Sequence, residues 1–254
     1  VTNPIFLAGA AELAPLRPGD AFTLTGAEAR HAVTVKRLAA GEAVDLSDGG
    51  GLRLTCTVTA AVAGELSVRV EVREDEPEPP LRLVLVQALA KGDRDELAIE
   101  TATELGVDAV VPWQAERSIV RWKGEKAARG AAKWRNVVAA AAKQARRARM
   151  PAVDELVTSR QLAARVAGAA LAIVLHEDAT DRARDVVRDW RAGVPDTTGD
   201  ILLIVGPEGG MSAAEVDAFT AAGARLGLLG RHVLRSSTAG PAAVVVLSDE
   251  LGRW

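Results

Sequence analysis

Three stretches of the chain combine residue types that bind or transform small molecules. Residues 206–212 read Gly-Pro-Glu-Gly-Gly-Met-Ser and run straight into a helical pattern. Residues 229–239 read Leu-Gly-Arg-His-Val-Leu-Arg-Ser-Ser-Thr-Ala, and His176-Glu177 follow the apolar run at 169–175. A glycine-rich turn between a strand and a helix exposes backbone N–H and C=O groups and is a candidate phosphate cradle. The 206–212 loop suits that role badly. It lacks both the Gly-x-Gly-x-x-Gly spacing and a following Gly-Lys-Ser/Thr. Pro207 removes an amide donor, and Glu208 repels a polyanion. A neutral or cationic ligand held by backbone contacts fits better. The competing reading is a tight turn with a helix cap, in which Ser212 and Glu215 form a capping box.

These loops need elements to hold them. Residues 81–89 are a nearly continuous apolar run, as expected of a strand buried on both faces. From there the pattern alternates: helix at 93–105, strand at 109–112, helix at 125–149 stopped by Pro151, strand at 169–175 and helix at 180–191. It continues with strand 201–205, helix 212–222, strand 225–229 and a last helix at 241–251 with Pro241 in its first turn. Such alternation predicts a mostly parallel α/β sheet covered on both faces, with ligands at the carboxyl ends of its strands. All three reactive stretches lie at such ends.

Before residue 81 the character differs. Strands are expected at 21–25, 43–47, 52–61 and 65–73, with a short helix over 26–38 and a hairpin turn at Asp48-Gly49-Gly50-Gly51. Residues 74–80 hold four acids and three prolines, which neither pack nor continue a helix. The expected organisation is therefore a small β-barrel over 1–73, a linker over 74–80 and an α/β domain over 81–254.

Charge narrows the partners. The net charge of the 254 residues is −3, yet residues 117–149 hold 11 Lys and Arg against one acid. A basic face on an acidic body suits a nucleic-acid backbone; a solvated basic helix is the alternative. The single cysteine excludes an internal disulfide and a multi-cysteine metal site, and no metal is expected. No apolar run reaches the roughly 18 residues of a membrane span, so no membrane partner is expected. With no signal-like opening, a reducing cytoplasm is the expected location. Aromatic residues are 3%, with no tyrosine, so a base-stacking platform of clustered Phe and Tyr is not expected.

Taken together, residues 206–212, Glu215, Gly223 and residues 229–239 resemble the C-terminal signature of the RsmE family of bacterial 16S ribosomal RNA methyltransferases, in the SPOUT superfamily. Further matches are residues 91–94, 101–107, 116–118, 140–151 and 31–37, in the family's order along nearly the whole chain. At Ser237 the family usually carries a glutamate, and before Gln144 it often carries a glutamate where Lys143 stands.

The resemblance implies an N-terminal PUA-like, RNA-binding β-barrel and a C-terminal SPOUT domain whose parallel sheet carries a deep trefoil knot. It implies a homodimer that methylates N3 of a uridine in the small-subunit RNA, with S-adenosylmethionine as donor. The donor would sit among Leu175, His176, Glu177, Gly206, Pro207, Glu208, Gly209, Gly210, Leu229, Gly230, Leu234, Arg235, Ser237, Thr238 and Ala239. Met211 would add an apolar wall, and Ser237 and Thr238 are equally candidates for capping the last helix. Glu208 and Arg235 are the candidate catalytic residues, as acid near the donor and as stabiliser of the uracil anion. Phosphate contacts are expected from Lys36, Arg37, Arg117, Arg121, Lys123, Arg146, Arg147 and Arg149. Two other readings are a ribose 2′-O-methyltransferase and an RNA-binding ribosome assembly factor without turnover.

Overall fold

The computed structural model describes residues 3–194 and 196–254 and divides into two compact units. Residues 1 and 2, where the expected first domain starts, lie outside the described residues. The first unit contains residues up to Glu78 together with Ala142–Met150; the second contains Pro79–Ala141 and Pro151–Trp254.

The first unit contains β1 (Ile5–Leu7), α1 (Ala10–Leu13), β2 (Ala21–Leu24), α2 (Gly26–Arg30), β3 (Ala43–Ser47), β4 (Leu52–Val62) and β5 (Glu65–Asp75). One π-type turn, His31–Val35, prolongs α2. The strands form one sheet in the order β1-β3-β4-β5-β2; no pairing joins β1 to β2 among the described residues. Alternation along β4 and β5 buries Leu54, Cys56, Val58, Leu66, Val68 and Val70 against Phe6, Leu13 and Leu46. Cys56 is buried there, and burial, followed by the charges of Asp45 and Glu71, pushes its thiol up to about 12. β5 runs two residues into the stretch expected as linker, because Asp75 still pairs with Leu52 across the ladder.

Residues 145–150 pack on the 47–51 turn of this unit rather than continuing the helix to Pro151. Arg146 takes a left-handed φ of 56°, which ends the helix before Pro151 is reached. Ser47 Oγ then donates to the Ala148 carbonyl (2.8 Å), and Met150 N–H donates to the Gly49 carbonyl (2.9 Å). Lys143 pairs with Glu28 at 2.8 Å.

The second unit runs β6 (Leu81–Ala88), α3 (Arg94–Glu104), β7 (Ala109–Gln114), α4 (Glu125–Gln144, its last residues in the first unit), β8 (Ala152–Val153), β9 (Val157–Thr158) and α5 (Ser159–Ala167). It continues with β10 (Leu171–Leu175), α6 (Ala183–Gly193), β11 (Gly199–Val205), α7 (Ala213–Ala221), β12 (Arg225–Gly227) and α8 (Ser236–Glu250). The sheet order is β12-β10-β11-β6-β7-β8, with β9 also on β7, and every pairing is parallel. β6 and β11 are buried along nearly their whole length, as their apolar runs require. Trp113 and Phe219 meet edge to face at 5.4 Å within the core. No helix among the described residues is long and apolar enough to cross a membrane.

α5 was not expected, although Thr158 and Gln161 form a capping box at its start. α8 begins five residues before Pro241, which therefore lies inside the helix rather than in its first turn. The extended Arg235 starts it, its carbonyl accepting from Thr238 and Ala239 N–H at 2.8 and 3.0 Å.

β12 lies so close to α6 that Gly227 has no room for a side chain. A Cβ there would stand 2.7 Å from Ile173 Cγ2 and 3.1 Å from the Ala183 Cα. Gly227→Ala is expected to lower stability by about 1–3 kcal/mol through overpacking, read as a lower midpoint in urea unfolding.

Candidate active site

The sheet order sets the carboxyl ends of β12, β10 and β11 side by side. The loops leaving these strands line one cleft of about 930 Å3. Of the expected donor-site residues, Leu175, His176, Glu177, Gly206, Pro207, Glu208, Gly209, Gly210, Leu229, Gly230, Leu234, Arg235 and Ala239 line it. Ser237 and Thr238 do not. α8 starts at Ser236, and a helix turns about 100° per residue, so Ser236 and Ala239 share the cleft side while Ser237 and Thr238 turn away. Ser236, 8% exposed, lines the cleft, and its buried Oγ has no hydrogen-bond partner among the described residues.

Sequence reasoning also missed Arg94, Asp178, Val205, Gly227, Leu228, Arg231 and Val233 as cleft residues. Most merely extend the strand ends already singled out. Arg94 arrives from the β6–α3 turn, a fourth strand end adjacent to β11, and that adjacency was the available signal.

The 206–212 loop begins with a β-turn closed by Gly210 N–H on the Pro207 carbonyl (2.9 Å), with Gly210 at φ 71°. Two carboxylates hold it. Glu208 Oε1 accepts from Lys91 N–H at 3.1 Å and from Arg94 Nη1 at 3.0 Å. Burial pushes the Glu208 carboxyl up, but hydrogen bonds from its own and the Lys91 N–H, then from Arg94, outweigh this and leave its pKa below the ordinary value. A carboxylate so engaged is a poor proton acceptor. Glu208, the expected acid near the donor, lines the cleft and also ties two loops together. At the other end, Glu215 caps Ser212 as the sequence pattern predicts. On a third side, Arg117 Nη1 donates to the Gly209 carbonyl (3.2 Å).

Arg117 and Arg235 are exposed cations lining the cleft, with no ion pair to either among the described residues. The other expected phosphate contacts fall into two groups. In the second unit, Arg121 and Lys123 are exposed, with Arg121 Nη2 donating to the Glu116 carbonyl. In the first unit, Lys36 and Arg37 are exposed, whereas Arg146, Arg147 and Arg149 are half-buried. Arg149 donates to the Glu76 carbonyl at 2.6 Å and packs on Gly51, so it serves the fold of that unit rather than an open surface. Among the described residues no three His, Cys, Asp or Glu gather as metal ligands would.

An RNA methyltransferase domain model matches residues 77–248, and an RNA methyltransferase PUA domain model matches residues 24–71. The ribosomal RNA small subunit methyltransferase E of Mycobacterium tuberculosis is 42% identical over 241 residues, 93% of this chain and 89% of its own length. The chain belongs to the RsmE family of RNA methyltransferases. The RsmE of Bacillus subtilis is 29% identical over 86% of both chains. Among solved structures, the RsmE of Neisseria gonorrhoeae bound to S-adenosyl methionine superposes with a TM-score of 0.81 at 26% identity, each chain covered to 98%. A Legionella pneumophila protein in complex with the cofactor SAM gives the same score and coverage at 28% identity. In RsmE terms, the first unit holds the PUA-like strands and the second the parallel methyltransferase sheet.

Gly230 allows a clean test of the cleft. It lines the cavity, is not in the left-handed region, and nothing lies within 4 Å of a Cβ placed on it. Gly230→Val is expected to fold with an unchanged melting temperature and to bind S-adenosylmethionine about tenfold or more weakly, roughly 1.4 kcal/mol, by calorimetric titration.

Proposed function

We propose that this protein methylates N3 of a uridine in small-subunit ribosomal RNA, using S-adenosylmethionine, in the cleft at the ends of β10, β11 and β12. The observation that carries the reading is the convergence of the 206–212 and 229–239 loops with His176-Glu177 on one cavity. The residues present fit the donor. Gly206, Gly209 and Gly230 leave backbone groups open to an adenine, and Met211 and Leu234 offer apolar surface. Ser236 Oγ is a buried polar group with no partner among the described residues. Glu177 and Asp178 supply negative charge toward a cation and acceptors for hydroxyl or ammonium groups. When bound, S-adenosylmethionine supplies an electrophilic methyl group on a sulfonium.

The chain's own task is to make a weakly acidic nitrogen nucleophilic. Loss of the N3 proton places negative charge on the ring and its carbonyl oxygens. Arg235 and Arg117 offer guanidinium donors to that charge, and their effect is larger away from bulk water. Glu208 is spent on Lys91 and Arg94, and it positions the loop. Asp95, whose burial pushes its carboxyl up to about 6 against backbone hydrogen bonds from Ala90 and Glu96, does not line the cleft. In this reading the proton leaves to solvent and the arginines hold the anion.

Arg121 and Lys123 are the exposed cations of the second unit that meet RNA phosphate, and Lys36 and Arg37 are those of the first. The homodimer belongs to this proposal: Val233 and Leu234 at the cleft rim are 78% and 38% exposed, apolar surface that a second copy would cover. So do the trefoil knot, a cytoplasmic location and the division of the chain into an RNA-binding domain, a linker and a catalytic domain.

Purified protein incubated with donor and small-subunit RNA or subunits is expected to yield N3-methyluridine on nucleoside mass analysis. A product resistant to alkaline cleavage would mark ribose methylation and overturn the base assignment. Arg235→Ala should lower kcat by about 10²-fold, the scale of losing one donor to a developing anion, while donor affinity holds. Arg121→Glu with Lys123→Glu should weaken RNA binding and flatten its dependence on salt by about one unit of slope per lost contact; a filter-binding series from low to high salt reads this directly.

A further inference from the structure

Glu215 does more than a capping box requires. It is 4% exposed and collects four donors. Oε2 accepts from Ser212 N–H (3.0 Å) and Ser212 Oγ (3.3 Å), which is the cap. Oε1 turns away from the helix and accepts from Glu116 N–H and from Ser159 Oγ, each at 2.7 Å. Ser159 Oγ in turn receives Trp113 Nε1 at 3.2 Å. One carboxylate thus joins the start of α7, the turn after β7 and the start of α5. No cation pairs with it among the described residues, so its charge is carried by these donors and the amino end of α7. An acid that only capped an exposed helix would need neither burial nor the second pair of donors.

What it fixes beyond the cap is the 116–118 turn. Arg117 is the next residue after the amide that Glu215 binds, and its guanidinium lies on the Gly209 carbonyl. A Cβ on Gly209 would lie 3.4 Å from Arg117 Cβ, so the gap between the two loops here is about one side-chain atom wide.

We propose that Glu215 is a positioning residue of the transfer reaction: it seats Arg117 against the donor loop, so that donor site and RNA-facing cation form one rigid piece. The proposal rests on the methyltransferase reading above. Glu208 holds the same loop independently through Lys91 and Arg94, so loss of Glu215 should displace Arg117 more than it opens the donor pocket.

The test is a double-mutant cycle in the RNA methylation assay, with wild type, Glu215→Gln, Arg117→Ala and the double variant, and donor Kd measured for each. Gln cannot offer two acceptor oxygens, so one donor pair is lost. Glu215→Gln is expected to lower kcat/KM for RNA about tenfold or more, with donor Kd within about threefold. Combined with Arg117→Ala it should cost nothing further. Losses that multiply, or a donor Kd that rises in step with the lost rate, would overturn the proposal. Should Glu215→Gln not fold, Ser159→Ala removes one donor from the same oxygen; a smaller loss that vanishes on the Arg117→Ala background supports the proposal, and a multiplying loss overturns it. A wild-type protein with no methyl transfer would remove the underlying reading, and this one with it. An active wild type with multiplying losses removes this one alone.

Discussion

A binding loop made of glycine and proline has almost no side chains with which to hold itself in place. Two carboxylates flank the 206–212 loop and anchor it separately. Glu208 ties it to the turn after β6 through Lys91 and Arg94, and Glu215 ties its far end to the turn after β7. Since β6, β7 and β11 are locked by parallel pairing, anchoring to their neighbouring ends transfers the rigidity of the sheet to a loop that would otherwise be mobile. The strand order matters as much as the anchors. Only because β11 stands between β10 and β6 does one loop border both the cleft and the turn that steadies it.

The electrostatics of the cleft follow from that division of labour. Glu208 ties the loop to Lys91 and Arg94, and those bonds hold its pKa below the ordinary carboxylate value. The remaining charges are separated by role. Glu177 and Asp178 come from the β10 end and suit a cation, while Arg117 and Arg235 come from other loops and suit an anion. On the function proposed above, the cleft holds a cationic donor beside a nucleobase turning anionic, which calls for both signs close together without mutual neutralisation. The Arg117 guanidinium is held by the Gly209 carbonyl rather than by a carboxylate, and the Arg235 backbone is fixed by the start of α8.

Much of this was legible in the residues, and the parts that were not share a cause. The apolar runs of β6, β10 and β11, the alternation in β4 and β5, and the Ser212–Glu215 cap are local patterns, and each element stands where its pattern put it to within a few residues. That three loops line one cleft was legible because they leave strand ends on the same edge of a parallel sheet. What was hidden depends on long-range contacts. Nothing near Arg146 announces a left-handed residue; the first unit's turn at Gly49–Gly51 draws residues 147–150 onto it. There Arg149, an expected phosphate contact, also clamps the Glu76 carbonyl. Pro241 reads as a first-turn proline, yet α8 starts at Ser236, and from that start Ser236 and Ala239 line the cleft while Ser237 and Thr238 do not. α5 was overlooked despite its capping box, because a nine-residue helix leaves little periodicity to detect.

The burial of Cys56 inside the first unit has a practical side. It is the chain's one cysteine, and with its thiol held near 12 almost none of it is thiolate at neutral pH. The folded protein should therefore ignore maleimide reagents. A cysteine introduced at any exposed position becomes the sole labelling point, so dyes or spin labels can be placed on either unit without first engineering a cysteine-free background.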